Sequence, residues 1–415
     1  MKIFQRLLVA PAALGLLAPL AANANDVNLK EISNYSEESI KISTNDFKPL
    51  SSKNPLLAGG EGLGQSGNSS ADFDGDSFSS TTTASFAADF VAGSVDGVAG
   101  EDQLGVIYGY QMDLATSFTG NDSLDVSLQG GNGDATLTEL DINQAGSADA
   151  IGVDSISYTL GLGDKTTVFF GNGADAGTVF NIACVYGGPT DTLDDCGNAF
   201  SQLGFSKGTV VGGSYDHGNG LSVAVAYTGE GNKAAGLATK EGNDAFGVNL
   251  AYNADSYGVS VAFADIESPV EDGTYGIADA STNVVSNQSF GINAYYQPDV
   301  INFPSISVGL ESTTNQIQEL DTLGGTTKGN DTDSTHWFIG LQWEDVGSGT
   351  LGAAIGTKEH TLDNDLFEEE TMYEAFYSYP INDGMTITPI VYVKENSEKT
   401  VDDETGFLTK LSFSF

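Results

Sequence analysis

The last ten residues, Gly406 to Phe415, read Gly-Phe-Leu-Thr-Lys-Leu-Ser-Phe-Ser-Phe, and this stretch decides the fold. Successive side chains of an extended strand point to opposite faces. One face of this strand is apolar and consists of Phe407, Leu411, Phe413 and Phe415, with Thr409 among them. The other face carries Lys410, Ser412 and Ser414. Chain termini are usually frayed and polar, whereas a strand between lipid and a water-filled lumen needs this alternation. The alternative is the last strand of a soluble sandwich.

The first 24 residues have the features of a secretory signal peptide. Lys2 and Arg6 form a basic start, Leu7 to Leu20 is mostly apolar, and Ala22-Asn23-Ala24 resembles a cleavage site. Two prolines and a glycine interrupt the apolar stretch, which makes it a poor membrane-spanning helix. We therefore expect the mature chain to begin at Asn25, outside the cytoplasm.

The composition is strongly acidic. The sequence has 57 acidic and 15 basic residues, for a formal net charge of −42. Because Lys2 and Arg6 belong to the signal peptide, the 15 bases fall to 13, all of them lysine. Nucleic acid is excluded as a partner, since phosphate binding requires clustered Lys and Arg. An acidic surface serves solubility, and in a pore it would also enrich cations.

Residues 25–77 differ from the rest and are predicted to form a polar N-terminal arm or linker. The segment is rich in Gly, Ser and Asp. Its motif Asp72-Phe-Asp74-Gly-Asp76 invites a calcium-binding interpretation, but Thr83 stands where an EF-hand loop needs a bidentate Glu. A solvated linker is the simpler interpretation.

From Phe78 to Phe415 the sequence alternates between apolar and polar residues, which predicts an all-β transmembrane antiparallel barrel of about 16 strands. Phe86, Ala88, Phe90 and Ala92 share the outward face of the first strand, and Asp89 faces inward. The inward set is too polar and too small to fill a dry core. The strands are placed near 78–94, 103–118, 123–131, 151–162, 165–171, 208–217, 220–229, 244–253, 256–265, 287–297, 304–313, 334–344, 349–359, 371–380, 384–395 and 405–415.

Connection lengths support closure into a barrel. Short turns follow strands two, four, six, eight and fourteen, and one example is Gly163-Asp164. Most connections after odd strands are long and acidic, as in 132–150, 266–286 and 314–333. Single-chain outer-membrane barrels have short periplasmic turns at one end and long extracellular loops at the other. A soluble sandwich has no reason to sort loop lengths by strand parity.

Several segments resemble cyanobacterial outer-membrane porins related to the OprB carbohydrate-porin family, which are also called iron-uptake porins. They are the signal sequence, Phe78-Ser-Ser-Thr-Thr-Thr83, Gly93-Ser-Val-Asp-Gly97, Leu114-Ala-Thr-Ser-Phe-Thr-Gly120 and the terminal Phe415. The resemblance implies a homotrimer in outer-membrane lipid. It also implies that the barrel-assembly machinery reads Phe407, Leu411, Phe413 and Phe415. The usual S-layer-homology domain is missing, since 25–77 is too short for it.

The resemblance further implies that the third long loop, Asn172 to Lys207, folds into the lumen and narrows it. Cys184 and Cys196 both lie in this loop. A bridge between them is permitted in an oxidising compartment and would stabilise the loop by about 3 kcal/mol. The alternative is two free thiols. A metal or redox pair is disfavoured, because no His is near and there is no Cys-x-x-Cys motif.

Charged residues predict a wide, weakly cation-preferring channel. The loop acids are Asp175, Asp191, Asp194 and Asp195; they line either the constriction or the outer mouth. The charged residues predicted to face inward on the wall are Asp89, Asp113, Glu311, Glu374, Lys394 and Lys410. The expected mature chain has no arginine to oppose these acids across the lumen. The positive side of a transverse electric field would therefore have to come from Lys165, Lys207, Lys394 or Lys410. We expect small hydrophilic solutes and ions to cross, with carbohydrates and iron species among the candidates.

Other functional classes have less support. His217, His336 and His360 are scattered, and there is no nucleophile elbow, zinc helix or P-loop, so neither enzymatic activity nor a cofactor is expected. The main alternative is a secreted or surface-attached acidic adhesin or calcium-binding β-protein, suggested by Gly130-Gly-Asn-Gly-Asp134. No fixed repeat supports it. A gated transporter would need a long N-terminal plug, which this chain lacks.

Overall fold

The computed structural model describes residues 82–97, 103–132, 137, 139–140, 142, 150–203, 207–229, 231, 236–239, 244–267, 283–300, 302–320, 326–328, 332–357, 370–396 and 401–415. The predicted signal peptide, the N-terminal arm and its Asp72 to Asp76 motif lie outside these residues. In the described part of the chain, no helix is long and apolar enough to cross a membrane.

The described residues form seventeen strands, of which sixteen make up the wall of the barrel. The other one, β12, is a short strand in the connection between β11 and β13. Their bounds are β1 (Thr82–Asp96), β2 (Gly105–Thr116), β3 (Asp122–Gly131), β4 (Gly152–Leu162), β5 (Thr166–Asp175), β6 (Lys207–Asp216), β7 (Leu221–Gly229), β8 (Asp244–Asn253), β9 (Tyr257–Glu267), β10 (Asn283–Tyr296), β11 (Ser305–Leu320), β12 (Thr326–Lys328), β13 (Thr332–Val346), β14 (Gly349–Thr357), β15 (Thr371–Asn382), β16 (Met385–Lys394) and β17 (Glu404–Ser414). The predicted sixteen-stranded antiparallel barrel is confirmed.

The barrel closes between its first and last strands. β1 pairs antiparallel with both β2 and β17, and β11 pairs directly with β13. At the seam, the backbones of Phe86 and Phe415 exchange hydrogen bonds of 2.8 and 3.0 Å. Their rings stack with centroids 5.5 Å apart. The terminal residue is therefore part of the closure, which leaves no free sheet edge.

The predicted alternation sets the two faces of the wall. Outward apolar side chains are unusually exposed: Phe90 has 46% of its surface accessible and Leu250 has 48%. Their inward neighbours include Val91, Asn249 and Ala251, which are buried. Exposed large apolar side chains on nearly every wall strand would be costly in water, whereas lipid tails accommodate them.

Short turns lie at one end of the barrel, hereafter the turn end, and the longer connections lie at the other, the loop end. The turns at 163–165 and 217–220 contain glycines with positive φ, 69° at Gly163 and 94° at Gly218, a conformation that costs glycine little. The turn at 117–121 is fixed by Asp122, whose carboxylate accepts hydrogen bonds from the backbone N–H groups of Phe118 and Thr119. The start of β1 and the end of β17 also lie at the turn end.

Some strand ends differ from the sequence prediction. β11 continues to Leu320, so the predicted loop 314–333 is partly strand, paired with β10, β12 and β13. The extension reads Thr-Asn-Gln-Ile-Gln-Glu-Leu from 314 to 320, and its mostly polar residues gave no clear apolar alternation in the sequence. β5 runs on to Asp175, because a bulge between Asn172 and Ala174 lets pairing with β6 resume.

Candidate functional site: two loops inside the barrel

The third long loop lies inside the barrel and is closed by a disulfide. Cys184 and Cys196 are bonded, with their Cα atoms 6.5 Å apart. The predicted bridge is confirmed, and both cysteines contact the apolar cluster described below. A 3-10 turn (Ala176–Val179) precedes the bridged segment, and a one-turn helix, α1 (Asp191–Asp194), lies within it.

A row of hydrogen bonds fixes the path of this loop across the inner wall. Every second backbone N–H from 181 to 187 donates to a side chain on β8, β9, β11 or β13, at 2.9 to 3.1 Å. The pairs are Asn181 with Asn249, Ala183 with Ser260, Val185 with Ser307 and Gly187 with Gln342. The loop therefore runs as an extended segment perpendicular to the strands. A list of polar inward residues does not reveal which of them meet a loop, so sequence reasoning missed this row.

Two buried wall carboxylates hold the loop further along its path. Glu374 is 4% exposed and accepts hydrogen bonds from the hydroxyls of Tyr186 and Thr190. Glu311 is fully buried and accepts from the backbone N–H of Phe200 (3.3 Å) and of Ser201 (2.6 Å). Burying a carboxylate is costly without such donors. The third long loop covers both glutamates, so they anchor the loop and do not line open water.

Tyr186 stays a hydrogen-bond donor because of its surroundings. Burial raises the pKa of its phenol well above the usual value, and the negative charge of Glu374 raises it further. The hydroxyl therefore keeps its proton at any physiological pH and continues to donate to Glu374.

Apolar contacts seal both flanks of the loop against the wall. On one flank, Tyr186 and Leu193 pack in a cluster with Phe338, Met372 and Phe376 of β13 and β15. The other cluster is formed by the loop side chains of Val179, Phe180, Phe200 and Leu203 together with inward residues of β5 to β9. The inner wall is therefore partly a dry core, a feature that the sequence prediction of a polar lumen did not include.

Four described residues of the second long loop, Leu137, Glu139, Leu140 and Ile142, also lie inside the barrel. Leu137, Leu140 and Ile142 are buried in the first cluster, with Val91 and Tyr392 of the wall. Their spacing in an otherwise polar loop was a signal that sequence reasoning could have used. Two loops therefore occupy the lumen where the sequence analysis expected one.

Polar contacts at Glu139 tie this segment to the third loop and to the wall. Its carboxylate forms an ion pair with Lys394 and accepts from the Thr192 hydroxyl at 2.7 Å. Its backbone carbonyl accepts from the Asp191 N–H at 2.9 Å. Lys394 also lies 3.0 Å from a carboxylate oxygen of Glu404. The predicted lumen-facing Lys394 is thus held between two carboxylates.

The predicted loop acids have different positions. Asp175 caps the 3-10 turn by accepting from Gly177 N–H at 2.7 Å, and Asp195 accepts from Gly197 N–H at 2.8 Å. Asp191 and Asp194 lie on the exposed side of α1, which packs against β14 near the loop end. The structure therefore does not gather the four carboxylates at one point.

Two of the remaining predicted charges lie on the inner wall. Asp89 on β1 and Asp113 on β2 face inward, and the Gln111 amide donates to Asp113 at 2.8 Å. Asp125 of β3 lies on the same face, because it is paired in the register with Ala115, which is two residues from Asp113 on β2. Sequence reasoning did not single out Asp125. Lys207 pairs with Asp175 in the backbone register of β5 and β6.

An open space remains beside the third loop. A cavity of about 430 Å³ lies between Gly187–Pro189 of the loop and the inner wall from β13 to β17, and Lys410 lines it. An adjoining cavity of about 270 Å³, lined by Glu344 and Asp345, reaches toward the turn end. The remaining lysine of the transverse-field prediction, Lys165, lies at a turn and donates to the His217 carbonyl at 2.7 Å.

A closed sixteen-stranded barrel with an apolar exterior and inward-folded loops is the fold of the outer-membrane porins. No family model matches the chain, and no curated protein matches it. Among solved structures, OprB of Pseudomonas putida has a TM-score of 0.56 at 13% identity, covering 81% of this chain and 94% of that one. An anion-selective porin from Comamonas acidovorans has 0.54 at 11% identity, covering 81% and 99%. OmpF of Salmonella typhi, solved with daunomycin, has 0.52 at 13% identity, covering 81% and 98%.

These similarities establish the fold and no finer relationship. The barrel, its apolar exterior and its porin-like neighbours are consistent with the predicted outer-membrane location.

In the described residues, no group of three or more His, Cys, Asp or Glu side chains is arranged to hold a metal ion.

Proposed function

We propose that this chain is an outer-membrane porin through which small hydrophilic solutes and ions diffuse passively. One observation carries the proposal. The third loop is fixed to the inner wall by buried hydrogen bonds, and a polar cavity stays open beside it. Loops that merely covered the end of a closed barrel would need neither buried anchors nor a polar space next to them.

A weak preference for cations belongs to the same proposal. Asp89, Asp113 and Asp125 on β1 to β3 place negative charge on one side of the lumen, in a chain with a net charge of −42. Low-dielectric walls strengthen such a field. The Comamonas neighbour is described as anion-selective, so the shared fold does not fix the sign of selectivity.

The partners follow from the proposal and from the sequence resemblance. They are outer-membrane lipid, the barrel-assembly machinery acting on the strand that ends at Phe415, and two further copies in a homotrimer. Carbohydrates and iron species are candidate solutes on the family resemblance alone. The acidic adhesin alternative has no observation in its favour, since a closed barrel with an apolar exterior fits lipid better than water.

The test is a planar-bilayer measurement of the refolded full-length protein. Discrete conductance steps and a reversal potential favouring cations in a salt gradient are expected. Reversal potentials favouring anions would refute the cation preference. A folded, heat-modifiable sample that forms no channels would refute the porin function itself.

A further inference from the structure

We propose that Glu344, a carboxylate near the turn end of β13, positions the third loop beside the open cavity through the side chain of Gln342. The inference rests on the proposed porin function and names a residue that shapes the pore. The effect of Glu344 passes through one amide group, so Glu344 is a positioning residue.

A chain of hydrogen bonds links the turn end of the barrel to the loop. The backbone N–H of Gly187 donates to Oε1 of Gln342 at 3.0 Å, and Nε2 of Gln342 donates to Oε1 of Glu344 at 2.6 Å. The second carboxylate oxygen of Glu344 accepts from the Thr350 hydroxyl at 2.7 Å. Both oxygens of Glu344 are therefore engaged, one of them by the amide that holds the loop.

The charge of Glu344 determines which way the Gln342 amide points. A glutamine amide has a donor end and an acceptor end, whereas an ionised carboxylate can only accept. The amide nitrogen therefore turns to Glu344, which leaves the amide oxygen for the N–H of Gly187. Without a carboxylate at 344, the amide could rotate and present its own N–H groups to the loop, where two donors would face each other.

The loop segment Gly187–Pro189 has few other groups that could hold it. Glycine has no side chain, and proline has no backbone N–H. A Cβ added at Gly188 would clash with the carboxylate of Glu374, so an anchoring side chain does not fit there. Gly187 is exposed, and water therefore competes for its N–H. An acceptor that is already oriented binds this N–H better than one that must first be turned.

The turn that carries Glu344 is itself held in place. A bulge interrupts the pairing of β13 with β14 before Val346, and bulges of this kind re-aim side chains. Two residues other than glycine have left-handed backbone in this turn, Asp345 with φ 57° and Ser348 with φ 85°. Such conformations persist only where the surroundings impose them. The Tyr377 hydroxyl donates to the Val346 carbonyl at 2.6 Å and ties the turn to β15.

The same residues border the open space. Gly187, Gln342 and Thr350 line the cavity of about 430 Å³, and Glu344 and Thr350 line the adjoining cavity of about 270 Å³. The Gln342 amide therefore lies beside the path that a solute would follow between the loop and the turn end. Release of Gly187 would let the loop shift in this path, so the hold of Glu344 has a consequence for conduction.

The test is hydrogen–deuterium exchange of the refolded full-length protein, followed on peptides that contain Gly187. Exchange of this amide should be about tenfold faster in Glu344→Leu than in wild type, because the net contribution of about one hydrogen bond is lost. Glu344→Gln should have a smaller effect, since an amide oxygen can still accept from Gln342 but no longer dictates its orientation. The exchanged pair, Gln342→Glu with Glu344→Gln, should restore wild-type exchange, because the carboxylate then accepts from the loop directly.

Two comparisons separate positioning from a general loosening of the loop. In a Gln342→Leu background, Glu344→Leu should add nothing further, because the link is already broken. Exchange at Asn181 and Ala183 should stay at the wild-type rate in every variant, since these N–H groups donate to other wall residues. Asp383→Leu is the matched control, because it removes another exposed carboxylate at the turn end, between β15 and β16.

Unchanged exchange at Gly187 in Glu344→Leu would overturn the inference. An equal rise at Asn181 and Ala183, or an additive effect in the Gln342→Leu background, would overturn it as well. Single-channel recording should show higher open-channel current noise in Glu344→Leu than in Asp383→Leu, and equal noise would count against the positioning role. Exchange can be measured on a folded sample that forms no channels, so a failure of the porin function is distinguishable from a failure of this inference.

Discussion

Glu374 offers the sharpest test of how the third loop is held. Its carboxylate accepts from Tyr186 and Thr190, the two residues that flank the cavity segment Gly187–Pro189. Replacing Glu374 by Leu keeps the volume similar but leaves two buried hydroxyls without their acceptor. Each unsatisfied buried group costs about 1–3 kcal/mol, so the local destabilisation should be about 2–6 kcal/mol.

Glu374→Gln should be milder than Glu374→Leu. The amide oxygen of glutamine can accept from one hydroxyl, and the amide N–H₂ group can donate to the other hydroxyl if that hydroxyl rotates. The ordering of the two variants separates the hydrogen-bond explanation from a general effect of substitution at this position.

Single-channel recording gives the readout. We expect Glu374→Leu to show larger open-channel current noise and altered conductance, with Glu374→Gln between it and wild type. Heat-modifiable migration should persist in both variants, because the β14–β15 and β15–β16 ladders do not use this side chain. Glu267→Leu is the control, because this exposed carboxylate at the end of β9 is not one of the acceptors that hold the third loop. Wild-type noise and conductance in Glu374→Leu would refute the anchoring role.

Three further predictions concern the other contacts in the lumen. Replacing Cys184 and Cys196 by Ser should destabilise the loop by about 3 kcal/mol in the chain-entropy model. Current noise should then rise while channels still form. A reductant should raise the noise of wild type in the same way and leave the double variant unchanged. Lys394→Met should release the second loop and raise conductance, because Glu139 loses its ion pair. Adding Glu139→Leu should reverse part of this rise, because the unpaired carboxylate is then removed. Identical conductance in wild type, the single variant and the double variant would contradict this prediction. Asp125→Asn should shift the reversal potential in a salt gradient toward the anion side, and an unchanged potential would remove Asp125 from the selectivity argument.

The outer face of the barrel could be predicted from the sequence, because lipid requires an apolar side chain at every second position of each strand. Phe90 and Leu250 are apolar for the same reason, and a period of two is visible without knowing any tertiary contact. The short turns at one end follow similarly from local chemistry, as at Gly163. Sixteen strands and the closing role of Phe415 were therefore within reach of sequence reasoning.

The inner face obeys no single rule, and the sequence prediction was less complete there. An inward Ser or Asn can meet water, a neighbouring strand or a loop backbone, and Ser260 and Ser307 are fixed to a loop by contacts with residues far away in the chain. The burial of Leu137 and Leu140 was not predicted for a related reason. Their burial depends on wall residues that only the closed barrel brings together.

The difference between Glu374 and Asp113 shows why a charge count does not determine selectivity. Both carboxylates face inward, but Glu374 is covered by Tyr186 and Thr190, whereas Asp113 accepts a hydrogen bond from the side chain of Gln111 on the same strand. A permeating ion feels a charge strongly when little water and salt lie between them, since screening acts within about 8–10 Å. Selectivity should therefore follow the balance between the inward carboxylates of Asp89, Asp113 and Asp125 and the ammonium group of Lys410 on the neighbouring strand β17.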